Sequence, residues 1–353
     1  MKMSLLFKWI VMAYNHGLFF TLVGDPGIGK TTVIRDVAKF LGVMLIEIHP
    51  AEWDTIDIKG FPCVIDGLPQ FIPYGEMAEI LNSEKQIILL FDDLLHGKPD
   101  VLKAIMQVFR GRLGEKIIPS NVFVCGATND VTDAADVRGM IEPLKSSMIL
   151  INVNHDPDAT LAYAEEKQWR NDLQAFLACN QEWIHKPLPS KQLKKSPCPR
   201  EWERANNALN ALDAEVENDF ISKQEKIGMQ FDTLKGCVGE DAAKLANGQL
   251  EKMALLPKPL EALAAAETIP LPDFNTEQSV LYMLCVAVAN LFDKDENKTP
   301  NKREKAFKLV ERMPQVFQRL LITLLYQRDA AFKTMPQANT YRQYFHDLEV
   351  NTI

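Results

Sequence analysis

One short run carries the first recognisable chemistry in the chain: Gly24-Asp25-Pro26-Gly27-Ile28-Gly29-Lys30-Thr31. It satisfies the spacing GxxxxGK[ST] at every fixed position. Glycines let the backbone come close to a phosphate and take dihedrals closed to other residues. Successive N–H groups and the positive end of the helix that follows then bind the anion. The spacing assigns Lys30 to the β- and γ-phosphates of a nucleotide and the Thr31 hydroxyl to Mg²⁺. Thr32, one position further on, falls near the α-phosphate. ATP and Mg²⁺ are therefore the expected cofactors.

A second carboxylate-bearing element must supply the other half of such a site. The apolar run Ile87-Ile88-Leu89-Leu90-Phe91 ends in Asp92-Asp93. Asp92 is the expected magnesium partner, directly or through water. Asp93 is expected to polarise the attacking water, by accepting its proton or orienting it.

These residues need a scaffold, and the first 153 residues spell one out. Short apolar runs recur at 19–23, 43–48, 87–91, 122–125 and 148–153. Runs apolar on both faces fit parallel strands covered by helices. Helical patterns at 31–41, closed by Gly42, and at 99–110, closed by Gly111, lie between them. The expected fold is α/β, a doubly wound parallel five-stranded sheet. Beyond Val153 the pattern is helical throughout, with Asp156-Pro157 as a helix start. The expected division is an α/β nucleotide-binding domain over 1–155 and an all-α region over 156–353. Within the latter, 186–200 and 257–272 read as proline-marked connections, 293–303 as a charged linker, and 304–325 as the last helices.

Composition narrows the function classes. The chain has 353 residues, enough for about two domains. Apolar residues make up 47%, so a substantial core is possible. Asp+Glu outnumber Lys+Arg, 47 to 39, for a net charge of −8. This balance argues against a general nucleic-acid binder. Cys63, Cys125, Cys179, Cys198, Cys237 and Cys285 show no zinc spacing, and neither do the six histidines. They read as reduced thiols of a cytoplasmic protein. No apolar run approaches the ~20 residues of a membrane span. Leu5-Leu6-Phe7 is interrupted by Lys8, so the N-terminal segment reads as a first helix ending near Gly17 rather than a leader peptide.

Taken together, the motifs resemble the MoxR-like AAA+ ATPases of the P-loop NTPase superfamily, in their compact bacterial and phage form. Between the two acidic and glycine-rich motifs, Asp54-Thr55-Ile56-Asp57-Ile58-Lys59-Gly60-Phe61-Pro62 is similar to the D-x-x-D-x-x-G-x-P stretch of that family. Ala127-Thr128-Asn129 resembles its sensor-1 position, where Asn129 would help hold the water near the γ-phosphate. Ser196-Pro197-Cys198-Pro199-Arg200-Glu201-Trp202-Glu203 is similar to its sensor-2 region. Arg200 would then reach the phosphates from a helical lid. The resemblance covers most of the chain at low similarity, takes in Gly236-Cys237-Val238-Gly239-Glu240, and fades after about residue 295. It implies a ring, expected as a hexamer, that remodels or activates a client protein, often beside a von Willebrand-type partner. In such a ring, 111–118 would be either a pore-facing hairpin or a surface connection.

Two departures fall on parts that serve hydrolysis. The family places an arginine, supplied to the neighbouring subunit's nucleotide, where this chain reads Glu142-Pro143-Leu144-Lys145-Ser146-Ser147. Ser147 can neither carry charge nor present a fork of donors. Lys145 or Arg138 would have to substitute. The second acid is Asp93, where the family mostly has the longer glutamate. Firm ATP binding with slow or partner-dependent hydrolysis is the expectation. The alternatives are a nucleotide-gated switch with little turnover and a nucleic-acid-directed loader. The second draws only on Lys191, Lys194, Lys195, Arg200, Lys298, Lys302, Arg303 and Lys305, with no interleaved stacking aromatics.

Overall fold

A computed structural model describes residues 1–113, 116–129, 145–187, 194–254, 256 and 258–341. The chain divides into two compact units, Met1–Ala159 and Thr160–Ile353.

The first unit is built on a parallel sheet of β1 (Phe20–Val23), β2 (Met44–Ile48), β5 (Ile87–Phe91), β8 (Val122–Thr128) and β9 (Ile149–Asn152), in the order β2-β5-β8-β1-β9. β5 and β8 are buried along their whole length because they lie in the middle of the sheet with both faces covered. One face packs Ile87, Leu89 and Phe91 against α5 (Pro99–Phe109). The other packs Ile88 and Leu90 with α1 (Met3–Asn15) and α2 (Lys30–Leu41). The five strands all pair in parallel, so their C-terminal ends lie at one end of the sheet. That end gathers the loops after β1, β2, β5 and β8, the usual place for ligands in an open α/β sheet. The helix expected near 31–41 begins at Lys30 and stops at Gly42, whose φ of +66° closes it in the left-handed region.

Between β2 and β5 lies an arrangement outside the five-run reading. A short helix, α3 (Thr55–Lys59), leads into an antiparallel hairpin of β3 (Phe61–Ile65) and β4 (Leu68–Ile72), followed by α4 (Gly75–Asn82). Asp66 and Gly67 form its turn with φ of +51° and +78°. Positive φ at both central residues is what a two-residue hairpin of this hand requires. A smaller hairpin joins β6 (Arg112–Leu113) to β7 (Lys116–Ile117).

The second unit is helical in all its described regular elements. α6 (Pro157–Glu166) runs across the division between units. α7 (Asn171–Cys179), α8 (Pro199–Glu217), α9 (Lys223–Val238) and α10 (Glu240–Ala254) enclose Trp169, Phe176, Trp202 and Leu234. Arg170, at the start of α7, ties it to α8, with a bidentate pair to Asp172 at 2.8 and 2.7 Å and a third bond to Asp213 at 2.6 Å. α11 (Pro259–Ala264), α12 (Gln278–Asn290), α13 (Pro300–Glu311) and α14 (Gln315–Arg328) enclose Phe292, Phe307, Leu321 and Phe332. Two sequence expectations need correction here. The connection at 257–272 contains α11. The charged stretch at 293–303 is not a bare linker: it forms a 3₁₀ turn over Asp295–Asn297 and starts α13 at Pro300. The last helices, expected over 304–325, are α13 and α14, parted at Pro314, whose ring cannot continue α13.

Candidate functional site

The loop 24–29 passes from β1 directly into α2. Gly27 and Gly29 have φ of +76° and +100°, values that side-chain-bearing residues avoid. A Cβ on Gly24 would lie 2.5 Å from the Val153 carbonyl oxygen, so the loop can run this close to the end of β9 only with glycine there. Asp25 and Pro26 are exposed at the tip, whereas Ile28 is buried beneath it and anchors the loop to the apolar layer of α1 and α2. At the start of α2, no side chain caps the amides and no acid occupies the first turn. The orphan N–H groups and the positive helix end are thus left for an anion.

Lys30 is buried, 7% exposed, which is rare for a lysine. Its ammonium donates to the carbonyl oxygens of Gly24 and Asp25, both at 2.8 Å, and to Asn129 Oδ1 at 3.1 Å. Asn129 follows the last residue of β8, and β8 adjoins β1 in register from Phe20 opposite Cys125 to Val23 opposite Thr128. The sheet therefore brings together two residues that stand 99 positions apart.

The Thr31 hydroxyl lies 3.0 Å from each carboxylate oxygen of Asp92. Asp92 is placed from two sides: β5 ends just before it, and its amide donates to the Ile48 carbonyl at the end of β2, at 2.9 Å. Asp93 is exposed and takes a left-handed conformation, φ +49°, ψ +41°, with its amide donating to Asp92 Oδ1 at 3.1 Å. This turn separates the directions of two adjacent carboxylates. The donor set fits Mg²⁺. A hydroxyl and a carboxylate are hard oxygen ligands, they converge, and Mg²⁺ held by them would take its remaining ligands from phosphate oxygens and water.

Beside this pair stands a feature that the sequence reading did not single out. Arg35, one turn beyond Thr31 on α2, forms a bidentate pair with Glu47 on β2, both bonds at 2.6 Å. The Arg35 guanidinium holds the Glu47 carboxyl below the usual glutamate range, against the opposing effect of partial burial. A search for charged pairs bridging α2 and β2 needs the fold, since nothing in the linear spacing marks them.

The remaining expected residues fall as follows. Thr32 is half-buried in the first turn of α2. Asp54 and Asp57 form the capping box of α3, with Asp57 Oδ2 accepting from the Asp54 amide at 2.7 Å. Gly60 has φ +95°, and a Cβ there would sit 2.3 Å from the Ile72 carbonyl oxygen. These motif positions thus build a helix start and a hairpin base. Arg200 lies in the second unit as an exposed residue in the first turn of α8. Ser147 is half-buried and Lys145 exposed, ahead of β9. Arg138 and 142–144 lie outside the described residues, as does Lys191. Residues 111–118 form a hairpin in their described part. Among the described residues, no helix is long and apolar enough to cross a membrane.

Residues 20–140 match the model of the ATPase family associated with various cellular activities (AAA). That stretch of the chain is similar to an AAA domain. The matched stretch begins at β1, contains the phosphate loop, Asp92 and Asn129, and covers roughly a third of the chain. It supports nucleotide binding and a general ATPase activity. With the five-stranded parallel sheet and the helical region after it, the fold is that of an α/β P-loop NTPase followed by helices. No curated protein matches the chain. Among solved structures, NtrX from Brucella abortus is similar at 15% identity, over 91% of this chain and 67% of that one, with a TM-score of 0.33. A score that low carries no argument.

Proposed function

We propose that the protein is a MoxR-like AAA+ ATPase that binds Mg·ATP and couples its hydrolysis to remodelling or activating a partner protein. The observation that carries this reading is the convergence of Lys30, Thr31, Asp92 and Asn129 from three separate elements at one end of the sheet. In this reading the amides of 24–30 and the Lys30 ammonium bind the β- and γ-phosphates. To do so, Lys30 gives up the carbonyls of its own loop. Thr31 and Asp92 hold Mg²⁺, which when bound offsets charge developing on the phosphates. Asp93 orients the attacking water and takes its proton, Asn129 holds that water beside the γ-phosphate, and Arg200 acts as the sensor on the lid.

Hydrolysis in this reading is slow or dependent on a partner. An arginine finger is worth ~10³–10⁵ in rate, and its position here is Ser147. We place the protein in the cytoplasm as a homo-oligomeric ring, expected to be a hexamer, with a protein client and a possible role for a von Willebrand-type partner. The test pairs ATP affinity with turnover in one preparation of the full chain. Sub-micromolar to micromolar affinity with turnover far below one per second, raised by a client, supports the reading. Turnover of several per second from the purified chain alone contradicts the slow-hydrolysis part, unless Arg138→Ala removes it. Tight binding with no turnover under any condition favours the nucleotide-gated switch, and salt-sensitive stimulation by DNA favours the loader.

A further inference from the structure

The Arg35–Glu47 pair stands where it bears on the metal-binding carboxylate. Thr31 and Arg35 are four residues apart on α2, so their side chains leave the same helix face about 6 Å apart along the axis. Glu47 and Asp92 come from adjacent strands. The register sets Glu47 beside Leu90, two residues before Asp92, so Glu47 and Asp92 share the sheet face that α2 covers. Arg35 therefore has two carboxylates on its side of the sheet. Both attract its charge, Glu47 through direct bonds and Asp92 through space. An unoccupied guanidinium one turn from Thr31 would compete with a cation for Asp92, because the fork geometry of arginine matches a carboxylate. In the structure the Nε–Nη2 edge of that fork is taken by Glu47, and Asp92 accepts from Thr31 and the Asp93 amide.

We propose that Glu47 is a positioning residue that sequesters the Arg35 guanidinium and so keeps the Asp92 carboxylate open to a divalent cation. The proposal rests on the reading of Thr31 and Asp92 as the magnesium pair. It differs from a plain clamp between α2 and β2. A clamp makes both partners equally necessary, whereas sequestration makes Arg35 harmful once Glu47 is lost.

The test is a magnesium titration of the full chain with a fluorescent ATP analogue, run beside a thermal melt. Binding is also measured in EDTA. The proteins are wild type, Glu47→Gln, Arg35→Ala and the double variant, with Glu47→Ala as a second route should Glu47→Gln not fold. Glu47→Gln is expected to need about fivefold more Mg²⁺ for half-maximal effect, the scale of one partly exposed ion pair. Arg35→Ala and the double variant are expected to stay within about twofold of wild type, since the competing charge is gone. Metal-free nucleotide affinity is expected to be the same in all four. Glu47→Gln behaving as wild type would overturn the proposal. So would an Arg35→Ala or double variant as impaired as Glu47→Gln, which is the clamp outcome. A wild-type protein that binds the analogue with no magnesium dependence would instead remove the underlying metal reading, and the sequestering role with it.

Discussion

Lys30 shows how a residue can be both buried and poised. Its ammonium donates to two loop carbonyls and to Asn129, which helps satisfy its charge inside the protein. Replacing Lys30 with Ala is expected to weaken nucleotide binding about 10- to 100-fold, the scale of one or two bonds to a charged group. Equilibrium binding of a fluorescent analogue checks this. Asp93→Asn separates the two halves of the reading. It is expected to leave Mg·ATP affinity within a few fold while cutting turnover by ~10²–10⁴, the range of a general base. The Arg35–Glu47 pair carries a pH signature. Since Glu47 sits below its ordinary value in the folded protein, its stabilising effect is complete above about pH 4.3. It is lost as the pH falls through the lower folded-state value. The stability difference between wild type and Glu47→Gln, measured by urea unfolding, should shrink on acidification through that window.

Elements differ in how plainly their residues announce them. The five sheet strands are legible because each is an apolar run, and in β5 and β8 burial on both faces leaves no polar alternation to confuse the period. The loop and the strand-end carboxylate are legible because their chemistry demands fixed types at fixed spacing. Strand adjacency is another matter: only the order β2-β5-β8-β1-β9 explains why Asn129 meets Lys30 and why Glu47 neighbours Asp92's strand. The β3–β4 hairpin escaped the sequence reading although Asp66-Gly67 is a strong turn pair. Its flanks, Phe61 to Ile65 and Leu68 to Ile72, carry prolines and lack clean alternation, and both strands are largely exposed. Gly60 fixes the hairpin's base. Gly60→Ala places a Cβ into the Ile72 carbonyl at a positive φ, and is expected to destabilise the first unit by about 1–3 kcal/mol. In the second unit, Trp202 is fully buried against Phe176, with its indole N–H donated to the Trp183 carbonyl at 2.8 Å. Trp202→Ala is expected to cost about 3–5 kcal/mol. Circular dichroism melts check both.

At the scale of the molecule, the match of residues 20–140 to the AAA model supports nucleotide binding, and the net charge of −8 is unlike the basic balance of a general nucleic-acid binder. The ring assembly belongs to the proposal, and it has a consequence of its own. If neighbouring subunits complete each other's sites, installing the missing charge should raise the rate. Ser147→Arg is expected to increase turnover by up to ~10³ in the assembled state, with an increase that fades on dilution below the assembly concentration. A Ser147→Arg variant as slow as wild type at every concentration would count against a composite site. All of this depends on whether the amides of 24–30, Lys30, Thr31 and Asp92 bind a triphosphate with its metal. Isothermal titration calorimetry of the full chain with Mg·ATP measures that directly. The account predicts saturable heat near one site per chain, weakened at least tenfold by Lys30→Ala and strongly reduced by EDTA. A folded wild-type protein giving no binding heat, or giving heat indifferent to both Lys30→Ala and EDTA, would contradict it.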